Sequence, residues 1–333
     1  MVAGAGGFIG GHAVRRLVAE GFLVRAVDVK PLDEWMQAPP EHTEIIIGDL
    51  SEFTVCERAV DHADVIYNYA ADMGGMGFIE NNRALCMISV LINTNLIRAA
   101  SLSGVRNYLF ASSACVYRQD RQSNPDVIPL SETDAYPADP EDGYGWEKLF
   151  SERMCRHMTE DFGIRTFLPR YHNVYGPYGT YDGGRAKAPA AICRKVVEAM
   201  MSGSYEIEIW GDGSQTRSFT YIDDAIEGSI RLLGSNVKQP INMGSSELVS
   251  INQLVDLVES IAGVSLKRSY DLSKPQGVRG RNSDNTLIRQ ELDWEPQTPL
   301  LEGLTHTYEW VRNRMAIDWS GRETSVANSV KES

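Results

Sequence analysis

A cysteine follows a run of small residues at the end of an apolar stretch in "FASSACVYRQD", residues 110–120. Free cysteine has a pKa of about 8.5, so part of it is thiolate at neutral pH, and a nearby cation enlarges that part. Cys115 is therefore a candidate acid and base for proton transfer. The alternative is packing, because free cysteine is most often a small buried hydrophobic residue. Packing is our interpretation of the other four cysteines, Cys56, Cys86, Cys155 and Cys193.

A tyrosine and a lysine stand four residues apart in "DGYGWEKL", which places Tyr144 and Lys148 on one face of a helix. A phenol titrates near pH 10, too high for a base at neutral pH, and an adjacent ammonium favours the phenolate. We therefore expect Lys148 to lower the pKa of Tyr144. A hydroxyl from Ser113 would share the substrate oxygen as an alcohol becomes a carbonyl. Such pairs also occur by chance, so the surrounding fold must support this reading.

Three glycines in "GAGGFIG" predict a dinucleotide site. Gly4 permits a tight turn, Gly7 lets a phosphate approach the backbone, and Gly10 lets the following helix pack closely. The helix N-terminus attracts the pyrophosphate. Asp28, at the end of the next strand, can bind the ribose hydroxyls of NAD and would repel the extra phosphate of NADP. The other predicted cofactor-binding residues are Phe8, Ile9, Asp49, Leu50, Ala70, Ala71, Tyr144 and Lys148. The alternative is a glycine turn with no ligand.

Alternating apolar runs and helical patterns predict an α/β fold with a parallel sheet covered by helices. Predicted strands are 23–28, 44–48, 64–70, 107–112 and 164–171; predicted helices are 10–20, 53–61, 82–103 and 143–162. We expect an NAD-binding domain over 1–172, joined by about 214–245, and a smaller lobe mainly over 173–315. Residues 318–333 are expected to be a disordered tail. Only three residues precede the glycine loop, so either the first strand is shortened or residues precede Met1.

Composition narrows the function classes. The net charge of −13 disfavours nucleic acid as a partner. Between 165 and 195, however, six basic residues accompany one acidic residue, which suggests a small anionic ligand or else a solvated face. Five cysteines without CxxC pairs argue against disulfides and structural zinc, and favour reduced thiols in a cytoplasm. The sequence shows no basic-then-apolar leader, so secretion is not expected. It also has no run of the roughly 18 apolar residues that a membrane span needs, so no membrane segment is expected.

The sequence resembles the extended short-chain dehydrogenase/reductases that act on nucleotide sugars, over almost its whole length. The matching motifs are "GAGGFIG", "SSACVY", "YGWEK", "PRYHNVYGP" and "GDGSQTRSFTYIDD". Within that family, "ADMGGMGFI" (71–79), "SSACVY" (112–117) and "YDGGRAKAPAAICRK" (181–195) resemble the GDP-mannose 3,5-epimerases. The resemblance implies a Rossmann-type doubly wound sheet with a smaller C-terminal substrate-binding lobe. It also implies bound NAD, GDP-mannose as substrate, and a homodimer joined through the helices near 82–103 and 143–162.

The same resemblance gives Cys115 a role. At this position the family's 4-epimerases usually carry a small hydroxyl residue and its 4,6-dehydratases an Asp-Glu pair, whereas here Ala114 precedes Cys115. Oxidation at C4 of the hexose would acidify the protons on C3 and C5. Cys115 and Lys187 would then exchange protons on opposite faces of the ring, giving GDP-L-galactose and also GDP-L-gulose. Lys187 alone would be an ordinary loop lysine.

The resemblance also implies a set of substrate-binding residues: Gly74, Gly75, Met76, Ser113, Cys115, Asn173, Lys187, Lys195, Arg217 and Arg279. Asn173 and the two arginines would hold the diphosphate, since guanidinium groups suit phosphate geometry. One departure is Ala186, where plant-type enzymes carry an acidic residue. Two other functions stay open: a UDP-sugar 4-epimerase of the same family, and a non-catalytic NAD-binding protein.

Overall fold

The computed structural model of the chain describes the backbone of residues 1–331 and the side chains of residues 1–317. Its strands are β1 Val2–Ala3, β2 Arg25–Asp28, β3 Glu44–Ile47, β4 Val65–Asn68, β5 Asn107–Phe110, β6 Ser112–Ser113, β7 Arg165–Phe167, β8 Pro169–Tyr171, β9 Val174–Tyr175, β10 Glu206–Trp210, β11 Thr216–Ser218, β12 Thr220–Tyr221, β13 Ile241–Met243, β14 Leu248–Ser250, β15 Lys267–Asp271 and β16 Gly280–Arg281. Its helices are α1 Phe8–Ala19, α2 Phe53–Val60, α3 Met76–Asn81, α4 Arg83–Ile88, α5 Val90–Leu102, α6 Tyr144–Phe162, α7 Ala188–Ser202, α8 Ile222–Leu233, α9 Ile251–Ala262, α10 Thr286–Leu292 and α11 Leu300–Lys331.

A parallel sheet of six strands forms the centre of the molecule, in the order β3-β2-β1-β4-β5-β7. All five neighbouring pairs run in the same direction. Parallel neighbours cannot be joined by tight hairpins, so helices and longer loops connect them. β1 has only two residues and yet pairs on both sides. The predicted α/β fold with a Rossmann-type strand order is confirmed.

The sheet separates two hydrophobic cores because successive side chains of a strand point to opposite faces. Val2 and Leu109 belong to the core shared with α1 and α8, whereas Ala3, Tyr108 and Phe110 belong to the other. Helices α2, α5 and α6 pack side by side against that second core. Helices thus cover both faces of the sheet. The loops at the carboxyl ends of the strands remain as the place where a ligand can bind.

The second half of the chain adds four smaller sheets and a helical layer. The sheets are β13-β8-β6, β12-β9, β10-β15 and β14-β11-β16. Helices α7, α9 and α11 pack on one another. β13 pairs with β8, and α8 packs on α1, so residues 222–243 lie beside the first half of the chain.

One predicted segment has a different structure. The predicted helix 82–103 is broken at Ser89, whose hydroxyl accepts a hydrogen bond from the backbone N–H of Asp72 at 2.9 Å. Helix α11 is described as far as Lys331, and the expectation of a disordered tail over 318–333 stays a prediction. Residues 332 and 333 of that predicted tail lie outside the described residues.

One helical segment, Arg83–Leu102, is long and apolar enough to cross a membrane by length and composition. Its buried side chains include Leu96, Ile97, Ala99 and Ala100, which pack in the core beneath the sheet. A core helix of a soluble protein passes the same test. The expectation that the chain has no membrane segment stays a prediction.

Candidate active site

The glycine loop joins β1 to α1 with two close backbone approaches. Gly4 has a φ of +75°, a region that disfavours other residues, and a Cβ built on Gly4 would lie 2.8 Å from the backbone nitrogen of Ala70. A Cβ on Gly10 would overlap the carbonyl oxygen of Gly4. Gly7 caps α1 without a side-chain hydrogen bond, so the first N–H groups of the helix are available to an anion. Phe8 and Ile9 open the helix.

Asp28 lies at the end of β2 beside this loop. Its carboxylate is almost fully buried and accepts hydrogen bonds from the N–H of Gly6 at 2.9 Å and of Lys30 at 3.0 Å. Leu50 lies buried after β3, next to the exposed Asp49, and Ala71 follows Ala70 after β4. The uncapped helix, the glycine cradle and the nearby carboxylate fit a dinucleotide with a free ribose hydroxyl.

Tyr144 opens α6 and is buried, with Lys148 one turn further along the helix. The Lys148 Nζ lies 5.4 Å from the centre of the Tyr144 ring and 4.6 Å from that of Phe110. It also lies 3.2 Å from the Glu147 carboxylate, which is equally buried. The Glu147 carboxylate therefore offsets part of the Lys148 ammonium charge, which the sequence analysis expected to act on the Tyr144 phenol.

The expectation that Lys148 lowers the pKa of Tyr144 is wrong for this structure. Burial raises the pKa of the phenol well above its usual value, and Cys115 and Glu147 raise it further, while the Ser113 hydroxyl opposes the rise. Tyr144 is therefore a phenol at neutral pH. Ser113 ends β6, and its hydroxyl accepts a hydrogen bond from the Cys115 backbone N–H at 3.2 Å.

Cys115 lies in a single helical turn directly after β6 and packs with Tyr144, Cys86 and Ile79 in one buried cluster. The backbone approaches closely here, because a Cβ on Gly145 would overlap the Cys115 carbonyl oxygen. The sequence predicted a partly ionised thiol. Instead, burial raises the pKa of the Cys115 thiol to about 11, and Glu141 raises it while Arg281 lowers it.

Lys187 is the N-cap of α7 and reaches the same site from the second half of the chain. Burial of its amine lowers the pKa of Lys187, and Cys115 opposes that shift, so the two side chains interact electrostatically. The structure thus brings together Cys115, Tyr144, Ser113 and Lys187. The pKa of the thiol and that of the ammonium move in opposite directions for the same reason, because burial disfavours the charged form of each.

The loop that carries Lys187 is clasped by the loop after β4. The Arg185 guanidinium donates to the Asp72 carboxylate at 2.6 Å and to the Met73 carbonyl at 2.9 Å, and it lies 3.7 Å from the centre of the Phe78 ring. The Gly75 N–H donates to the Arg185 carbonyl at 3.0 Å. The tandem glycines therefore allow two loops to pack together.

Cβ atoms on these glycines would meet the clasping loop. A Cβ on Gly75 would overlap the Ala186 carbonyl oxygen, and a Cβ on Gly74 would lie 3.0 Å from the Arg185 Cα. Met76 begins α3 and borders a cavity of about 390 Å³ whose lining includes Gln122, Glu141 and Arg279.

The other predicted substrate-binding residues are engaged with protein groups. The Asn173 amide donates to the Ser218 carbonyl at 3.0 Å, and the Lys195 ammonium donates to the Glu208 carbonyl at 2.6 Å. Arg217 is buried and donates to the Thr216, Gln276 and Val278 carbonyls, while Arg279 pairs with Asp212 at 3.1 Å. Arg217 and Arg279 lie on neighbouring segments, since the Thr216 N–H donates to the Arg279 carbonyl.

Two charged residues beside Cys115 were missed by sequence reasoning. Arg281 donates to the Cys115 sulfur at 3.5 Å and forms an ion pair with Glu141, and all three side chains are buried. The sequence feature that could have pointed to Arg281 is the second arginine of "GVRGRN", residues 277–282. Because side chains alternate along a strand, Arg279 and Arg281 share a face in an ideal strand, yet Arg279 precedes β16 and points elsewhere.

Comparison with known proteins identifies the family. A model of the NAD dependent epimerase/dehydratase family matches residues 1–244. GDP-mannose 3,5-epimerase 1 of Oryza sativa subsp. indica is 44% identical over 315 residues, which cover 94% of this chain and 82% of that protein. GDP-mannose 3,5-epimerase of Arabidopsis thaliana is 43% identical over 332 residues, covering 99% of this chain and 86% of that protein.

Solved structures agree on the fold. The UDP-glucose 4-epimerase of Thermotoga maritima with UDP-glucose superposes with a TM-score of 0.84 at 24% identity, covering 94% of this chain and 98% of that one. MoeE5 in complex with UDP-glucuronic acid and NAD gives 0.76 at 26% identity, covering 94% and 98%. With its Rossmann-type sheet, glycine loop and Tyr144–Lys148 pair, the chain belongs to the NAD dependent epimerase/dehydratase family.

Proposed function

We propose that this protein is an isomerase that epimerises GDP-mannose at C3 and C5 to GDP-L-galactose, with GDP-L-gulose as a second product. The observation that carries the proposal is the buried cluster of Cys115 with Tyr144, which Lys187 joins electrostatically. A 4-epimerase needs no thiol there, because it moves no proton on carbon. The plant GDP-mannose 3,5-epimerases that this chain matches over most of its length support the same substrate.

The chain's residues divide the chemistry between them. Bound NAD would supply the reversible oxidation at C4, held by the glycine loop, Asp28 and Lys148. Tyr144 and Ser113 would face the C4 oxygen, where Tyr144, once its own proton has passed to solvent, would take the hydroxyl proton as its phenolate. The carbonyl so formed acidifies the C–H bonds at C3 and C5. Inversion at each carbon then needs a base on one side of the ring and an acid on the other.

Cys115 and Lys187 are assigned these two roles by their protonation states. The thiol pKa of about 11 keeps Cys115 protonated at neutral pH, and the lowered pKa of Lys187 increases its neutral amine. These two directions favour Lys187 as the base and Cys115 as the acid in the first proton transfer. The ammonium formed on Lys187 would also stabilise the enolate.

The test is to incubate the purified protein with NAD and GDP-mannose, and in parallel with UDP-glucose, and to identify the products by NMR. The proposal expects GDP-L-galactose, with GDP-L-gulose, from the first mixture and no change in the second. Conversion of UDP-glucose to its C4 epimer would favour the 4-epimerase, and turnover of neither sugar would favour a non-catalytic NAD-binding protein.

We also propose that the protein is cytoplasmic, a setting that suits its five free thiols. We further propose that two copies associate through α4, α5 and α6. Apolar side chains stay exposed on these adjacent helices: Leu85, Ile88, Leu91, Trp146 and Phe150. A second copy would cover this surface, as large apolar patches commonly mark interfaces. Light scattering should give a dimer mass for the wild type and a monomer mass for Phe150→Glu. A monomeric wild type would contradict this.

A further inference from the structure

The Arg281 guanidinium lies behind the Cys115 thiol and contacts three buried side chains. Its Nη1 donates to the Cys115 Sγ at 3.5 Å, its Nε donates to the Gln122 Oε1 at 2.6 Å, and its Nη2 pairs with the Glu141 carboxylate. Arg281 is only 4% exposed, Glu141 6% and Gln122 0%. The cation is therefore shielded from water and directed at the sulfur.

The partners of Arg281 are themselves fixed in place. The Gln122 amide donates to the carbonyls of Tyr117 at 3.2 Å and Arg118 at 3.0 Å. The Glu141 N–H donates to the carbonyl of Cys115 at 3.1 Å, so the carboxylate and the thiol are held on linked backbone. This arrangement holds the guanidinium in one position relative to the sulfur.

The two charges act on the thiol in opposite directions. The Arg281 cation stabilises a thiolate, and the Glu141 anion destabilises it. Because they pair with each other, their net effect at the sulfur is small, and burial keeps the resting thiol protonated. The Arg281 Nη1 nevertheless donates to the sulfur, so it can stabilise the negative charge that forms when the thiol loses its proton.

We propose that Arg281 and Glu141 are a positioning pair for Cys115: Arg281 directs the sulfur and stabilises the thiolate left after proton delivery, and the Glu141 anion destabilises that thiolate so that it takes a proton back from solvent between transfers. The acid–base step is the one already proposed, so this inference rests on the proposed function. The proton passes from sulfur to the enolate carbon, and no redox change occurs. Other titratable groups facing the sulfur are Tyr144, Lys187, Arg217 and Cys86.

The test measures the rate of alkylation of Cys115 by iodoacetamide against pH, read from the mass of the peptide that contains Cys115. The protein carries NAD and no sugar. Glu141→Gln leaves Arg281 unopposed, so alkylation at neutral pH should accelerate by about tenfold, one pKa unit. Arg281→Gln leaves the carboxylate unopposed and should slow it by about the same factor. The surface variant Arg289→Gln, whose ion pair with Glu295 lies elsewhere, should match the wild type.

A double variant, Glu141→Gln with Arg281→Met, covers the case in which a single variant does not fold. Removing both charges of a buried pair together is often tolerated, whereas removing one is costly. Its alkylation profile should lie between those of the single variants, and its epimerisation rate should fall at least about tenfold below that of the wild type.

The outcomes separate the two proposals. Alkylation profiles that match the wild type in every variant, with wild-type epimerisation in the double variant, would overturn the positioning pair and leave the proposed function intact. If the wild type does not convert GDP-mannose but the profiles shift in opposite directions, the proposed function fails while the control of the thiol by Arg281 and Glu141 holds.

Discussion

The glycine loop follows β1, and the cysteine centre, which is Cys115 with Arg281, Glu141 and Lys187, begins directly after β5 and β6. The parts of these two sites come from very different distances along the chain. Gly4, Gly10 and Asp28 all fall within the first 28 residues, and the loop is shaped by backbone contacts. Cys115 meets Arg281 across 166 positions. A site made of contiguous backbone is specified locally, whereas a site made of converging side chains is specified by the whole fold.

This contrast has a functional side. The glycine loop needs close approach and an uncapped helix end, which chemistry at the sugar does not alter. The cysteine centre needs protonation states that differ from those of free side chains, and the fold supplies them through burial and paired charges. Substitutions in the glycine loop should therefore weaken NAD binding, whereas substitutions in the cysteine centre should impair proton transfer.

The largest effect is expected from Tyr144→Phe. Without the phenol no C4 carbonyl forms, so epimerisation and isotope exchange at C3 and C5 should both fall below detection. NAD and GDP-mannose binding, measured by calorimetry, should persist. Exchange that continues in this variant would mean that proton abstraction does not depend on oxidation.

Cys115→Ala should abolish epimer formation and leave oxidation at C4 and GDP-mannose binding largely intact. Oxidation is followed through the ultraviolet absorbance of the cofactor, and epimers by NMR. The matched control is Cys86→Ala, which removes a sulfur from the same buried cluster and should retain activity. Full epimerase activity in Cys115→Ala would remove the thiol from the mechanism.

Gly10→Ala tests the other region. The added methyl would overlap the Gly4 carbonyl, and overpacking of this kind costs about 1–3 kcal/mol. NAD affinity should therefore fall by about tenfold or more by calorimetry, and the alkylation profile of Cys115 should stay unchanged. Gly234→Ala, where a Cβ meets nothing closer than 3.4 Å, is the control. Equal NAD affinity in both variants would contradict the assignment of the glycine loop as the NAD-binding site.

A smaller effect is expected from pH. If neutral Lys187 is the base, exchange at C3 and C5 should rise by no more than about tenfold per pH unit as the ammonium loses its proton. It should fall again near pH 11, where the Cys115 thiol ionises. Lys187→Arg, which stays charged, should remove the rising limb. A rate that declines steadily from neutral pH upward would contradict a base that gains activity as the Lys187 ammonium loses its proton.

The sequence predicted the features that short segments determine. The alternation of strands and helices gave the sheet, and the glycine spacing with Asp28 gave the loop and its helix. Tyr144 and Lys148 share a helical face, as their spacing requires. Each of these follows from the period of a helix or strand or from the φ of a glycine.

What the sequence did not predict depends on distant contacts. The break at Ser89 lies where its hydroxyl accepts a hydrogen bond from the Asp72 N–H, and the clasp of Arg185 joins loops more than one hundred residues apart. The protonation of Cys115 depends on burial and on Arg281 and Glu141, none of which a local pattern contains. Motif resemblance named Cys115 and Lys187, but their charge states required the fold.

Incubation of the protein with GDP-mannose in heavy water tests the central claim most directly. If a transient C4 carbonyl exposes two neighbouring C–H bonds to Cys115 and Lys187, NMR should find deuterium at both C3 and C5 of the recovered sugars. Products that carry deuterium at neither carbon would contradict the account.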